Sequence, residues 1–305
     1  MKVVLAGATG FIGKTLIRRL LERGDSVVLL TRSRGRVQGI ESERLQSVVW
    51  NGVDGGAWES ALQGADGVMN LCGESIAGGR WTPERKRQIL ESRVNSTRAL
   101  VRASSAAASR PKVLVNASGI GYYGSGAGNE ELTEQSPLGK GFLAETCAAW
   151  EREALGASAL GMRVVLARIG IVLEKDGGAL EKMLTPFLFF AGGPLGSGRQ
   201  WFPWVHREDA VGLLLWALDQ GGASGPMNVC SPQPVTMKEF AAVLGRVLGR
   251  PSWFPVPALL LKLILGEMAE LLLDGHRAVP AQAIRGGYRF KFPSLEPALK
   301  NILSR

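Results

Sequence analysis

Cysteine is scarce. Cys72, Cys147 and Cys230 are the only three in 305 residues, too few and too widely spaced for a disulfide framework or a structural zinc site. No metal site is therefore expected, and the thiols read as reduced, in a cytoplasmic protein. Long uninterrupted apolar runs are also missing. The most apolar stretch, Ala258 to Leu273, is broken by Lys262, Gly266, Glu267 and Glu270, which a membrane-spanning helix tolerates poorly; it reads as a buried or interface helix and not as a membrane anchor. There is no internal repeat and no low-complexity segment. The first core strand starts at Lys2, leaving no room for a signal or transit peptide. Acidic residues are outnumbered, 27 against 36 Lys and Arg, for a formal net charge of +9. That balance favours anionic ligands. The basic residues are scattered, without a stacking platform or a recognition-helix motif, so nucleic acid is not expected.

What is present is concentrated at the N-terminus. Lys2-Val-Val-Leu-Ala6 empties into Gly7-Ala-Thr9-Gly10-Phe11-Ile12-Gly13, after which Leu16, Ile17, Leu20 and Leu21 recur at helical spacing. Gly24 closes the helix, and Ser26-Val-Val-Leu-Leu30 is a second strand ending on Thr31-Arg32. This is a βαβ unit of the length a dinucleotide-binding fold requires, and it sets the expected fold class: α/β, a Rossmann-like doubly wound parallel sheet. A pyrophosphate settles on the helix N-terminus only if backbone N–H groups approach it closely, so Gly7 and Gly10 remove side chains from the turn. Gly13 is expected to let the helix pack tightly against the strands.

The end of the second strand selects the cofactor. A carboxylate there would bind the ribose hydroxyls of NAD, whereas an arginine can pair with the 2′-phosphate of NADP. The chain has Thr31, Arg32, Ser33, Arg34 and Arg36, and no carboxylate before Glu41, which points to NADP (NADPH); a solvated basic loop is the alternative. Further strands are read at Arg44–Trp50, Gly67–Leu71, Lys112–Ala117 and Arg163–Gly170, with helices at Trp58–Leu62, from Pro83 to about Ser109, and at Gly141–Glu151. Because the carboxyl ends of such strands line the ligand crevice, Asn70, Leu71, Cys72 and Gly73 should pass the adenosine and its ribose, and Gly170 to Val172 the nicotinamide.

The spacing G-x-x-G-x-x-G resembles the extended short-chain dehydrogenase/reductase superfamily. Asn70-Leu-Cys-Gly-Glu74 followed by Gly79-Arg-Trp81, and Gly192-Gly-Pro-Leu-Gly-Ser-Gly-Arg-Gln200 with Trp204-Val-His206 and Asp209, are similar to signatures of one atypical branch. Its members are epimerase-family proteins of unassigned substrate with a C-terminal domain of unknown function. The resemblance covers essentially the full length, with Cys72 replacing an alanine. It implies that Gln88 and Arg93, on the helix after Pro83, touch NADP, and that Ser118-Gly-Ile-Gly-Tyr122-Tyr123-Gly124 is the loop where a serine orients the substrate. Aligning Tyr123-Gly124 with that loop puts Gly119 at the serine position, with Ser118 one step away, either a contact or a turn residue.

Short-chain enzymes carry a tyrosine and a lysine four residues apart on one helix face. The lysine lowers the phenol's pKa from about 10, and the phenolate moves the proton. Four residues after Tyr122, Tyr123 and Tyr288 stand Gly126, Ala127 and Phe292, so the pair is absent. Counting back from Glu151 places Leu143 and Cys147 at its two positions. A thiol there reads as buried and apolar. The proton donor is left open among Tyr122, Tyr123, Glu74 and His206, the last weighed against a structural role in joining strand to helix. Glu208 and Asp209 fit as charges at a helix N-terminus.

The expected organisation is residues 1–225 as the NADP-binding domain and 226–305 as a smaller, substrate-covering C-terminal part. The resemblance implies an NADP(H)-dependent oxidoreductase or epimerase acting on a small substrate, anionic if the chain's charge is the guide; the missing pair motivates the alternative of a non-catalytic NADPH-binding sensor.

Overall fold

The computed structural model describes residues 1–33, 39–126 and 128–304. Seven strands, β1 (Lys2–Ala6), β2 (Ser26–Thr31), β3 (Leu45–Val49), β4 (Gly67–Asn70), β5 (Val113–Gly119), β6 (Arg163–Ile169) and β7 (Gly225–Val229), form one sheet in the order β7-β6-β5-β4-β1-β2-β3. Every neighbouring pair is parallel. The strand order reverses between β1 and β4, which opens a crevice at their carboxyl ends. The division expected at 225/226 runs through β7, so the sheet extends past it.

Parallel strands joined by helices must be apolar on both faces, and the side-chain alternation follows. Val3, Leu5, Val27 and Leu29 pack on one side with Leu16, Ile17 and Leu20 of α1 (Phe11–Glu22). Val4, Ala6, Val28 and Leu30 pack on the other with Ala99, Leu100 and Ala103 of α2 (Pro83–Ala106) and Ala154 of α3 (Phe142–Leu155). Thr82 caps α2, its hydroxyl accepting the Arg85 N–H at 3.1 Å, with Pro83 in the first turn.

A third core holds the C-terminal part. Leu180 and Phe187 of α4 (Gly178–Leu188) meet Phe240 and Leu244 of α6 (Met237–Leu248), with Trp204, Leu299 and Ile302. Between them α5 (Arg207–Asp219) returns to the main sheet. The stretch Ala258–Leu273 is not the one helix that the reading of a buried or interface helix expected. Gly266, at φ +61°, stops α7 (Ala258–Leu265), and α8 (Glu270–Leu273) follows a 3-10 turn. Leu261 faces inward, while Leu259, Leu263 and Ile264 are 72, 67 and 57% exposed. Arg80 reaches over to cap α7, donating to the carbonyl oxygens of Leu263 and Ile264. Among the described residues no helix is long and apolar enough to cross a membrane.

One buried ion pair ties these parts together. Arg168 on β6 and Glu151 on α3, 3 and 6% exposed, are joined by two hydrogen bonds of 2.8 and 2.9 Å. Ser118 on β5 donates to the same carboxylate at 2.7 Å. The guanidinium stacks 3.4 Å from the Tyr122 ring centroid and donates to the Tyr123 hydroxyl at 3.2 Å. Tyr123 is within 2.7 Å of Asn228 Oδ1 on β7, and Asn228 Nδ2 donates to the Val279 carbonyl at 2.9 Å. Removing one partner leaves a buried charge uncompensated, so Arg168→Met is expected to cost about 3–5 kcal/mol in denaturant unfolding, with Arg168→Met/Glu151→Leu recovering part of the loss.

Candidate functional site

Two concavities lie along the carboxyl edge of the sheet. The first, a groove of about 880 Å³ beside β1, β2 and β4, is lined by Gly7, Thr9, Gly10, Thr31, Arg32, Ser33, Leu71, Cys72, Gly73 and Gln88 among others. These are the sequence-derived contacts for the phosphates and adenosine, brought together in one place. Arg36 lies outside the described residues. The three glycines of the turn do different things. A Cβ on Gly7, at φ +71°, would come within 2.5 Å of the Cys72 nitrogen, so β4's exit loop lies hard against the turn. A Cβ on Gly13 would collide with the backbone of Ala8, so the close approach expected against the strands is instead to the turn itself. A Cβ on Gly10 would meet nothing within 4 Å; it would project into the groove, at the N-terminus of α1, where an anion is favoured.

Asn70 does not line the groove. It is fully buried, donating to Thr97 and Asn116 at 2.8 and 2.7 Å and accepting the Cys72 N–H at 3.1 Å, and so fixes the backbone turn beneath it. Glu74 lies on the groove wall, facing Arg85 at 3.2 Å and Arg32 at 4.0 Å. The Arg32 side chain is otherwise 85% exposed, which leaves its charge available to a ligand.

The second concavity, about 440 Å³, follows on past Arg93 and is lined by Phe11, Ile12, Arg93, Ser118, Gly170 and Val172 of the expected contacts. Arg93 stands at the junction. It donates to the carbonyl oxygens of Glu74 and Ile89 at 3.0 and 2.9 Å, lies 5.1 Å from the Trp150 ring, and crowds Gly73, where a Cβ would be 3.0 Å from its Cζ. Burial pulls its pKa down from the usual arginine value. Ser118 is no turn residue: it is the penultimate residue of β5, with its hydroxyl committed to Glu151.

Gly119, Leu143 and Cys147, which the resemblance aligns with the serine, tyrosine and lysine of short-chain enzymes, all line this cavity. A Cβ on Gly119 would lie 3.6 Å from Cys147 Sγ, and one on Gly121 3.1 Å from Leu143 Cβ. Burial, then the neighbouring Glu151, push the Cys147 thiol up, the reverse of what a nucleophile needs. Thr146, between them on α3, is 3% exposed, lines the cavity, and its hydroxyl has no hydrogen-bond partner within the protein.

Three proton-donor candidates are displaced by the structure. Tyr123 is buried in the Arg168 network, and burial pushes its hydroxyl up to about 12; neither it nor Tyr122, sandwiched against Arg168, lines the cavity. His206 is fully buried, with Nδ1 accepting the Glu208 N–H at 3.0 Å to cap α5 and Nε2 3.2 Å from Asn301 Oδ1. Its ring stacks on Phe292 at 4.0 Å. Glu208 and Asp209 serve the helix start: Glu208 pairs with Arg19, and Asp209 accepts the N–H groups of Lys291 and Phe292.

The histidine that lines the cavity is His276, which the sequence reading passed over. It is 8% exposed, and burial holds its pKa below the usual 6.5 against the opposing effects of a backbone hydrogen bond to Gly124 and of Asp274. Lys140, Glu270 and Asp274 complete the charged lining. The signal in the sequence is arithmetic: the chain has two histidines, and His276 is the second.

The chain has known relatives along its whole length. Residues 3–230 match the model of the NAD dependent epimerase/dehydratase family, and residues 256–302 match a domain of unknown function, DUF1731. The chain is similar to the Epimerase family protein SDR39U1 homolog, chloroplastic, of Arabidopsis thaliana, 42% identical over 99% of this chain and 87% of the relative. It is similar also to Epimerase family protein YfhF of Bacillus subtilis, 40% identical over 100 and 98%. Among solved structures, human epimerase family protein SDR39U1 (isoform 2), crystallised with NADPH, superposes with a TM-score of 0.90 at 34% identity, covering 100% of both chains.

Two outcomes test the geometry. Gly10→Ala is expected to leave unfolding free energy within about 0.5 kcal/mol, whereas Gly13→Ala should lose about 1–3 kcal/mol through overpacking. In mass-spectrometric alkylation at pH 7.5, Cys147 should react with iodoacetamide only after the chain is unfolded.

Proposed function

The chain belongs to the NAD dependent epimerase/dehydratase family, and from that premise we propose that it is an NADPH-binding oxidoreductase or epimerase of short-chain type, working in the cavity beside His276. One observation carries the reading. A groove lined by the Gly7–Gly10 turn and the end of β2 has beside it, from Phe11 and Arg93 onward, a cavity whose walls include Gly170, Val172 and residues of α3.

The residues present fit NADPH. The Gly7–Gly10 turn and the N-terminus of α1 offer backbone N–H groups to a pyrophosphate. Arg32 and Ser33, at the end of β2, suit a 2′-phosphate. Phe11, Ile12 and Val172 give an apolar wall that excludes water from a nicotinamide ring. When bound, NADPH would supply hydride and NADP⁺ would accept it. With leucine and a neutral thiol where the phenol and ammonium would stand, proton movement falls to the cavity's remaining titratable groups, and His276 is the one that titrates nearest neutrality.

Leu143 and Cys147 also favour a second reading, a non-catalytic NADPH sensor. NADPH turnover distinguishes the two: a panel of carbonyl compounds is screened for NADPH oxidation, and for transfer of label from deuterated cofactor, because epimerisation regenerates its cofactor. Turnover that falls at least tenfold in His276→Asn, with NADPH affinity unchanged, supports the enzyme; tight binding without turnover or exchange supports the sensor. Arg32→Ala is expected to weaken NADPH by about 1.5–3 kcal/mol, the value of a charged hydrogen bond, and to leave NADH unaffected.

The pH dependence has a definite sign. His276 is neutral at pH 7 because its pKa is held below 6.5. As a proton acceptor in alcohol oxidation it is therefore fully competent at neutrality. The rate should fall only as the pH drops below 6.5, and His276→Asn should flatten that limb.

A further inference from the structure

A second chamber, about 550 Å³, lies behind the first between α4, α6 and the α7–α8 turn. Gly178, Ala179 and Leu271 line both, so the two chambers adjoin at these residues. The chamber is apolar. Met183, Phe187, Phe240, Met268 and Leu272 line it, and among the described residues Glu181 and Lys182 are its only charged lining residues. Each volume falls within the range of small-molecule sites, roughly 300–1,000 Å³. Methionines repack around ligands of different shape more readily than branched side chains do.

This lining argues against a sugar or a nucleotide. Each hydroxyl or phosphate carried into it would lose water without gaining a protein partner. An aliphatic chain loses nothing there. At the reacting end, the first cavity carries one polar group whose own bonding is incomplete. A threonine in mid-helix can return its hydroxyl to the carbonyl four residues back; Thr146 does not, and its buried hydroxyl has no partner in the protein, just beneath the cavity wall to which the residue contributes.

Resting on the oxidoreductase reading for where the head lies, we propose that the substrate is an aliphatic alcohol or its carbonyl counterpart. Its oxygen meets the Thr146 hydroxyl, and its hydrocarbon tail passes Ala179 and Leu271 into the second chamber. Thr146 then positions the substrate, a role distinct from the proton transfer given to His276. In the oxidation direction the alcohol carbon yields hydride to NADP⁺ and the hydroxyl yields its proton to the cavity base, leaving the carbonyl.

The test is calorimetric binding of butan-1-ol to decan-1-ol by the full chain, with and without NADP⁺, so that it does not depend on turnover. Affinity should rise about fourfold for each added methylene that enters the chamber. Met268→Trp, which fills the chamber, should flatten the rise at the longer chains; Ala179→Leu at the neck reads the same quantity if that variant does not fold. Thr146→Val should weaken every alcohol about tenfold without changing the chain-length slope, and Thr146→Ser should restore it. Affinity independent of chain length, or binding of UDP-glucose in preference to decan-1-ol, overturns the proposal. Chain-length-dependent binding without NADPH turnover supports the site while removing the oxidoreductase reading, so the two fail separately.

Discussion

The buried pair of Arg168 and Glu151 sets the positions of nearly everything that faces the cavity. Both carboxylate oxygens are engaged, and the guanidinium is further held by Tyr122 and Tyr123. Desolvating two charges is expensive, and such a pair is net stabilising only when its remaining hydrogen-bonding capacity is met. Here Ser118 meets part of it. Because Glu151 sits on α3, the pair fixes that helix in rotation, and with it Leu143, Thr146 and Cys147. Through Tyr123 and Asn228 the same network reaches Val279, and so anchors the segment that carries His276.

At the opposite end of the crevice the governing constraint is steric. The turn between β1 and α1 has no room for a Cβ at residues 7 and 13, where protein backbone occupies the space, yet it has ample room at residue 10. Two glycines make the turn and one keeps the groove clear. Asn70 then supports the facing strand exit from below, using all its side-chain hydrogen bonds on Thr97, Asn116 and Cys72. The glycine turn and the exit of β4 are thus held by protein contacts of their own, and a preformed wall lowers the ordering cost of binding.

The main strands, α1 and the glycine turn were legible because they are local: periodicity and spacing within 30 residues determine them. The long α2 was legible from its cap for the same reason. Side-chain destinations were not. Tyr122 and Tyr123 stand next to a loop that does line the cavity, but a 3-10 turn rotates both rings under it, onto Arg168 from a strand 45 residues on. His206 and His276 look alike in sequence. What separates them is Asn301 and Phe292 closing over one, while the other lies on the cavity wall. The exposed face of α7 escaped for a different reason. Gly266 was counted as a break in a membrane span, yet its left-handed conformation ends the helix itself.

The replacements at residues 119, 143 and 147 are best understood together. A phenol and an ammonium in this cavity would each require water or a polar partner, and their joint presence suits a substrate that brings hydroxyls of its own. Glycine, leucine and a neutral thiol make no such demands and leave this part of the wall apolar, with the methionine-lined chamber adjoining the same cavity. On the proposed reading, the residues that stand in place of the usual proton relay are thus the same ones that suit the site to hydrocarbon. It leaves the polar work to groups held on other elements: Thr146 one turn along the same helix from Leu143, and His276 on the segment anchored by Asn228.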